Sequence, residues 1–280
     1  MDIPGLGGGR RIYGVVIGVV TENGDNKGNK HPNGEYRVKV KFPWIRDSAD
    51  AGDAEDFVSS WARITTPMAG NGRGLYCPPE PDDEVLIAFE HGDVRRPYVI
   101  GSLWNGVDIP PAKGIGTPPD DSTDPMGYPL DIQEATVDTK EGDGRNRARF
   151  MYSRSHHLLL FDDSDEEKKE KIVVKTKRGH VVVLNDSDGE ESIAIYTSDG
   201  NQFFHLDEAQ KKITIESKNG DIDILCKDGT LNIEAKEIIS KATTDATHEA
   251  DSNMTHKASS TMTIEGGSKV DVDGAVIELN

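Results

Sequence analysis

Thr247-His-Glu-Ala-Asp-Ser-Asn-Met254, Thr255-His-Lys-Ala-Ser-Ser-Thr-Met262, Thr263-Ile-Glu-Gly-Gly-Ser-Lys-Val270 and Asp271-Val-Asp-Gly-Ala-Val-Ile-Glu278 are four consecutive blocks of eight. Even positions from 238 to 264 run Ile, Ser, Ala, Thr, Ala, His, Ala, Ser, Met, His, Ala, Ser, Met, Ile. Odd positions carry Lys241, Asp245, Glu249, Asp251, Lys257 and Glu265 among Thr, Ser and Asn. One small or apolar face and one charged face at a period of two is the pattern of a β-strand. The four-residue spacing of Ala and Met at 242, 246, 250, 254, 258 and 262 mimics a helix. The Thr and Ser content and the block length argue against that reading.

Upstream the same grammar is looser. Ile172-Val-Val174-Lys-Thr176, Ile193-Ala-Ile195-Tyr-Thr197 and Ile213-Thr-Ile215-Glu-Ser217 are each followed by a glycine, at 179, 200 and 220. Ile222-Asp-Ile224-Leu-Cys226 and Leu231-Asn-Ile233-Glu-Ala235 then tighten the period from about 20 residues to 9. Each unit reads as a short, half-buried strand ending in a turn. Ordering six residues costs roughly 6–12 kcal/mol, and two or three buried Ile or Val side chains return about 3–9 kcal/mol. In the octads the inward residues are mostly Ala and Ser, so the return is smaller. The expectation is that several chains wind around one axis, closing a narrow interior and leaving no sheet edge.

The composition suits such a molecule. Hydrophobic residues make up 35% and aromatics 6% of 280 residues, with 29 Gly and 14 Pro, which is turn-rich β rather than a large helical core. The formal charge is −18, divided as −7 up to residue 149 and −11 beyond it. Acidity spread along the whole chain disfavours nucleic acid and anionic membrane as partners. The apolar run Gly14–Val20 is too short to span a bilayer, and Met1-Asp-Ile-Pro lacks the basic start of a signal peptide. Cys77 and Cys226 stand far apart with no metal-like spacing, as free thiols made in a reducing cytosol would.

The first hundred residues read as several strands without a helix signal. Residues 1–9 form a glycine-rich lead-in. Strands follow at Ile12–Thr21, Tyr36–Phe42, Ser60–Ile64, Glu84–Phe89 and Tyr98–Leu103, with a Gly92-Asp93 turn before the last. Five short strands in about 95 residues suggest a small closed barrel of the OB type over 10–106. Four segments carry a more specific likeness: Gly34-Glu-Tyr-Arg-Val-Lys-Val-Lys-Phe-Pro-Trp44, Trp61-Ala-Arg-Ile64, Asp82–Glu90 with Gly92-Asp93, and Arg96–Gly106. In this order they resemble the OB domain of the VgrG and phage baseplate assembly protein V family. The residues concerned are Phe42, Pro43, Trp44, Trp61, Glu84, Gly92, Asp93, Pro97, Gly101 and Asn105. That family follows its OB domain with a trimeric β-helical needle built on a Val-x-Gly octad. Val272-x-Gly274 and Ile264-x-Gly266 match it, and His256-x-Ala258, His248-x-Ala250 and Ser240-x-Ala242 match in relaxed form.

The resemblance implies an all-β chain: an OB-fold barrel, then a homotrimeric, intertwined β-helix or β-prism needle. Residues 107–150, with prolines at 110, 111, 118, 119, 125 and 129, read as an extended linker too short to be an enzyme. Residues 151–235 are expected to be the looser part of the needle, and 236–280 its octad part with a blunt tip. The large hub that precedes the OB domain in VgrG proteins is absent here, which implies a separate hub protein at the N-terminal end. Some phage needles end in an iron-binding His-x-His. Here the ending Val276-Ile-Glu-Leu-Asn280 implies instead a seat for a separate PAAR-type tip protein.

Chemistry finds little purchase. No nucleophile elbow is present, and Asp162-Asp163 and Asp186/Asp188 sit at turns between repeats. Ala69-Gly-Asn-Gly-Arg-Gly74 lacks the Gly-Lys-Ser/Thr of a phosphate loop. Arg37, Lys39 and Lys41 alternate along one strand beside Tyr36 and Trp44, as an oligonucleotide-binding face or the outer face of an ordinary barrel would. His248 and His256 share the octad position of Ile264 and Val272 and should point inward. In a three-fold needle each makes a ring of three imidazoles, able to hold a metal ion or, through water, an anion. Water or neighbouring hydroxyls satisfy such a ring equally well. No other cofactor is expected.

The resulting expectation is a non-enzymatic central spike of a contractile injection system. It would assemble in the cytoplasm and become part of a phage-like or extracellular particle. It would meet the target membrane only on puncture, and effector cargo could ride with it. The competing expectation is an oligomeric OB-fold module on a β-stalk, binding nucleic acid or carbohydrate.

Overall fold

The computed structural model describes residues 11–24, 36–44, 58–108, 148–163, 168 and 170–277. The lead-in 1–9 and nearly all of the expected linker lie outside them. The described residues divide into two units, the first ending at Ile222 and the second beginning at Asp223. Among the described residues no helix is long and apolar enough to cross a membrane.

The first unit opens with a barrel. Its strands are β1 (Val15–Glu22), β2 (Arg37–Lys41), β3 (Ala62–Ile64), β6 (Glu84–Phe89) and β7 (Pro97–Ser102), with a hairpin of β4 (Ala69–Gly70) and β5 (Arg73–Gly74) between β3 and β6. The order β1-β2-β3-β7-β6 closes when β6 pairs with β1, and β3–β7 is the one parallel contact in it. Alternation in β2 and β6 sends Val38, Val40, Val85 and Ile87 inward, all with 0% exposure. With Val20, Phe42, Ala62, Phe89 and Val99 they fill the interior. Gly18 sits where a Cβ would come 3.3 Å from Ile87 and 3.4 Å from Val40, so a glycine lets β1 lie close over them. A five-stranded closed barrel of this kind is the OB architecture expected from the sequence.

The second element is a seven-stranded antiparallel meander: β8 (Ala148–Tyr152), β9 (Leu158–Asp162), β10 (Lys171–Lys175), β11 (Val181–Asn185), β12 (Ser192–Tyr196), β13 (Gln202–Asp207) and β14 (Lys212–Ser217). The sheet begins at Ala148, where the sequence reading had placed the end of the linker. The 20-residue period counts every second strand, β10, β12 and β14, with an unread return strand between each pair. One face buries Leu160, Val173, Val183, Ala194 and Tyr196 in a core separate from that of the barrel.

The second unit holds no strand among its described residues. Ile222–Cys226 and Leu231–Ala235, expected as strands, carry no strand pairing among the described residues. Every described residue from Asp223 on is exposed. The backbone nevertheless keeps the octad. Bends fall at 243–244, 251–252, 259–260, 267–268 and 275, eight residues apart.

Candidate functional site

Most barrel residues that carried the resemblance are builders of corners. Phe42 is buried, with its ring centre 5.8 Å from Trp44 and 5.9 Å from Phe89. Pro43 turns the chain after it, and Trp44 anchors the turn by donating from Nε1 to the Ile17 carbonyl at 3.0 Å. Asn105 accepts from the N–H groups of Val107 and Asp108, both at 2.7 Å, and donates to Glu84 at 3.2 Å. That Asx turn ties the end of β7 back to the start of β6. Gly92 is buried at φ +76°, with the Arg11 Cβ 2.8 Å from where its own Cβ would be, so only glycine fits.

Asp93 grips Arg95 with two bonds of 2.9 and 2.8 Å and also accepts the Arg95 N–H at 3.0 Å. The Arg95 guanidinium, then its N–H, hold the Asp93 carboxyl well below the usual carboxylate range. Pro97 is buried at the start of β7. Gly101 differs from these: nothing stands within 4 Å of the Cβ it lacks.

A cleft of about 240 Å³ lies on the barrel between β2, β3 and the β6–β7 corner. Arg37, Trp61, Arg63, Glu90, Arg95, Arg96, Pro97 and Tyr98 line it. Cross-strand register places Arg37 opposite Arg63 and Arg63 opposite Tyr98. The Arg63 guanidinium stands 5.7 Å from the Tyr98 ring, and Lys39 stands 5.0 Å from Trp61. Sequence reasoning found Arg37 and Trp61 but missed Arg63, Arg95, Arg96 and Tyr98. The signal was the pair Arg95-Arg96 in a strongly acidic chain.

On the meander the turns are linked to one another. His157 accepts at Nδ1 from the Lys177 N–H at 3.3 Å, and His180 accepts at Nδ1 from the Ser198 N–H at 3.2 Å. The Asn201 carbonyl accepts from the Lys218 N–H at 2.7 Å and completes the series. His180 is thus a turn linker, each imidazole keeping its proton on Nε2. His205 stands opposite the buried Ala194, its Nε2 buried without a hydrogen-bond partner among the described residues.

Within one chain the isoleucines of the repeats lie on the outer face of the meander. Phe161, Ile172, Leu184, Ile193, Leu206 and Ile213 stand opposite one another across six strands. Leu159, Val174, Val182, Ile195, Phe204 and Ile215 make a second unbroken row. Ile193, Ile195 and Ile213 are 43%, 48% and 66% exposed. Register sets this: Val173, Val183 and Ala194 share the buried face with Leu160 and Tyr196, so the residues alternating with them face out. An apolar face this broad marks an interaction surface.

In the second unit His248 and His256, Ala250 and Ala258, Ile264 and Val272 recur at equal places between bends. Gly266 and Gly274 hold the place just before the bend, and a Cβ on Gly266 would fall on the Lys269 carbonyl. Val276 and Ile277 are exposed, and Glu278, Leu279 and Asn280 lie outside the described residues. The octad positions thus recur in register, and each of them is exposed.

Comparison with known proteins bears on the barrel. Residues 16–104 match the family model of the type VI secretion system/phage-baseplate injector OB domain. The type VI secretion system spike protein VgrG4b of Pseudomonas aeruginosa is 35% identical over 95 residues, 34% of this chain and 11% of that protein. Spike protein VgrG2a of the same organism is 33% identical over 75 residues, 27% of this chain and 8% of its own length. The actin cross-linking toxin VgrG1 of Vibrio cholerae is 32% identical over 75 residues, 27% of this chain and 6% of the toxin. The matches thus span about a tenth or less of these relatives. The N-terminal barrel is thus similar to the injector OB domain and to the matching stretch of the VgrG spike proteins.

Proposed function

We propose that this chain, whose barrel is similar to the type VI secretion system/phage-baseplate injector OB domain, is the central spike of a contractile injection system and works as a homotrimer. The observation that carries the reading is the apolar surface left without a partner. It comprises two full rows on the outer face of the meander, then an octad-bent segment exposed throughout. Three chains wound about one axis bury both. The entropy cost of ordering the octads is then met by inter-chain strand pairing and by the interior of a narrow prism.

The barrel end rests on the baseplate hub, and the C-terminal end carries a PAAR-type tip that meets the target envelope, with effector cargo riding on the tip or inside the tube. The role is mechanical rather than catalytic: bending a closed prism requires many ladder hydrogen bonds to break together. His248 and His256, one octad apart, form two imidazole rings on the axis that can hold a metal ion or an anion. Val276 and Ile277, 76% and 51% exposed, offer the tip protein an apolar seat. Co-expression with a PAAR-type protein tests this seat. The two proteins should co-purify, and Val276→Asp with Ile277→Asp should release the tip while leaving the spike intact. Co-purification unaffected by the double substitution would contradict the assignment.

A further inference from the structure

The cleft beside Arg63 is not used by the spike reading. Its lining brings four guanidinium groups to one place against a single carboxylate, Glu90, in a chain with 50 acidic and 32 basic residues. The acids near it are already committed. Glu90 Oε2 accepts from Arg96 and from the Tyr98 hydroxyl, each at 3.3 Å, and Asp93 holds Arg95. Glu22 holds Lys39 at 2.9 Å, and Arg37 is engaged as well. Arg63, exposed and opposite Tyr98, has its contact with that ring but no acid partner among the described residues. A guanidinium lying over a ring still presents its N–H edge, the geometry that receives a planar carboxylate by two parallel bonds.

We propose that this cleft is the seat for a carboxylate side chain on an acidic segment of the protein that the barrel docks on, received by Arg63 and flanked by Trp61 and Tyr98. The proposal rests on the reading of the barrel as the docking end of a spike. Size and charge choose the partner. About 240 Å³ admits a side chain but falls below the roughly 300 Å³ at which small-ligand pockets begin. A nucleic-acid strand, charged at every residue, would have to lie along the rest of a surface with formal charge −18, whereas one acidic side chain needs only the local surplus.

The experiment uses the full chain and a fluorescein-labelled hexaglutamate peptide, read by fluorescence anisotropy at low salt. Unlabelled hexathymidylate is the competitor, and light scattering is recorded on the same samples. Saturable binding is expected in the natural chain. It should weaken about tenfold in Arg63→Gln, which loses a charged two-bond contact, and less in Arg63→Lys, which keeps the charge without the fork. Arg73→Gln, the same charge change in the β4–β5 hairpin, should bind as the natural chain does. Absence of saturable binding, equal loss in the Arg63 and Arg73 variants, or displacement by hexathymidylate at lower concentration than by unlabelled hexaglutamate would each overturn the proposal. A trimeric mass without peptide binding would overturn the cleft alone. A monomeric mass would overturn the spike reading beneath it.

Discussion

Asp199 shows how much of this molecule is settled by single turns. Its Oδ1 accepts from the Thr197 hydroxyl at 2.6 Å and the Asn201 N–H at 3.1 Å, and its Oδ2 from the Asn201 amide at 2.7 Å. Those bonds, the Thr197 hydroxyl first, lower its pKa from 3.8 to about 2. The folded value lies below the unfolded one, so the stability the group contributes is complete above about pH 4 and is lost as pH falls towards 2. An NMR titration of the Asp199 carboxyl should show a midpoint near 2, with the Asn201 amide shifting alongside. A midpoint near 3.8 would mean the turn does not form as described. Sequence made the Thr197-Ser-Asp-Gly-Asn201 turn legible, because Gly200 after a polar run marks one. It did not show that His157 and His180 receive bonds from the next turn. Those partners are 20 and 18 residues away, and local spacing carries no information about them.

At the scale of elements, the barrel was legible almost strand by strand: Val38 and Val40 alternate strictly with Arg37, Lys39 and Lys41, and Gly92-Asp93 marks the turn that separates the apolar run of β6 from β7. The meander was only half legible. β11 (Val-Val-Val-Leu-Asn) and β9 (Leu-Leu-Leu-Phe-Asp) are continuous apolar runs, and a run apolar on both sides has no period to read. Both faces of the sheet carry apolar side chains, so only register decides which of them one chain buries by itself. The outer face therefore gives a discriminating test. Ile193→Lys with Ile195→Lys changes two side chains already 43% and 48% exposed in one chain, so a monomer should tolerate them with its circular dichroism and melting unchanged. In a trimer closed on that face, two buried cations with no partner would break the assembly, and light scattering should report a fall in mass. An oligomer unaffected by both lysines would place the interface elsewhere.

For the whole molecule, the octad is the feature that sequence and structure read alike, with bends eight residues apart where the blocks of eight had been drawn. The chain alone cannot supply what fills those octads. Ile264, Val272 and Val276 are 71%, 65% and 76% exposed, and His248 and His256 are exposed as well. On the proposed reading that part of the site belongs to an assembly, and a single chain carries it only as surface left uncovered. The central claim is that three copies cover it. Its most direct test is the solution mass by light scattering, taken before and after mild SDS without boiling. The account predicts a mass near three times 30.6 kDa, 91.8 kDa, that resists the detergent. A species of 30.6 kDa in native buffer would contradict it.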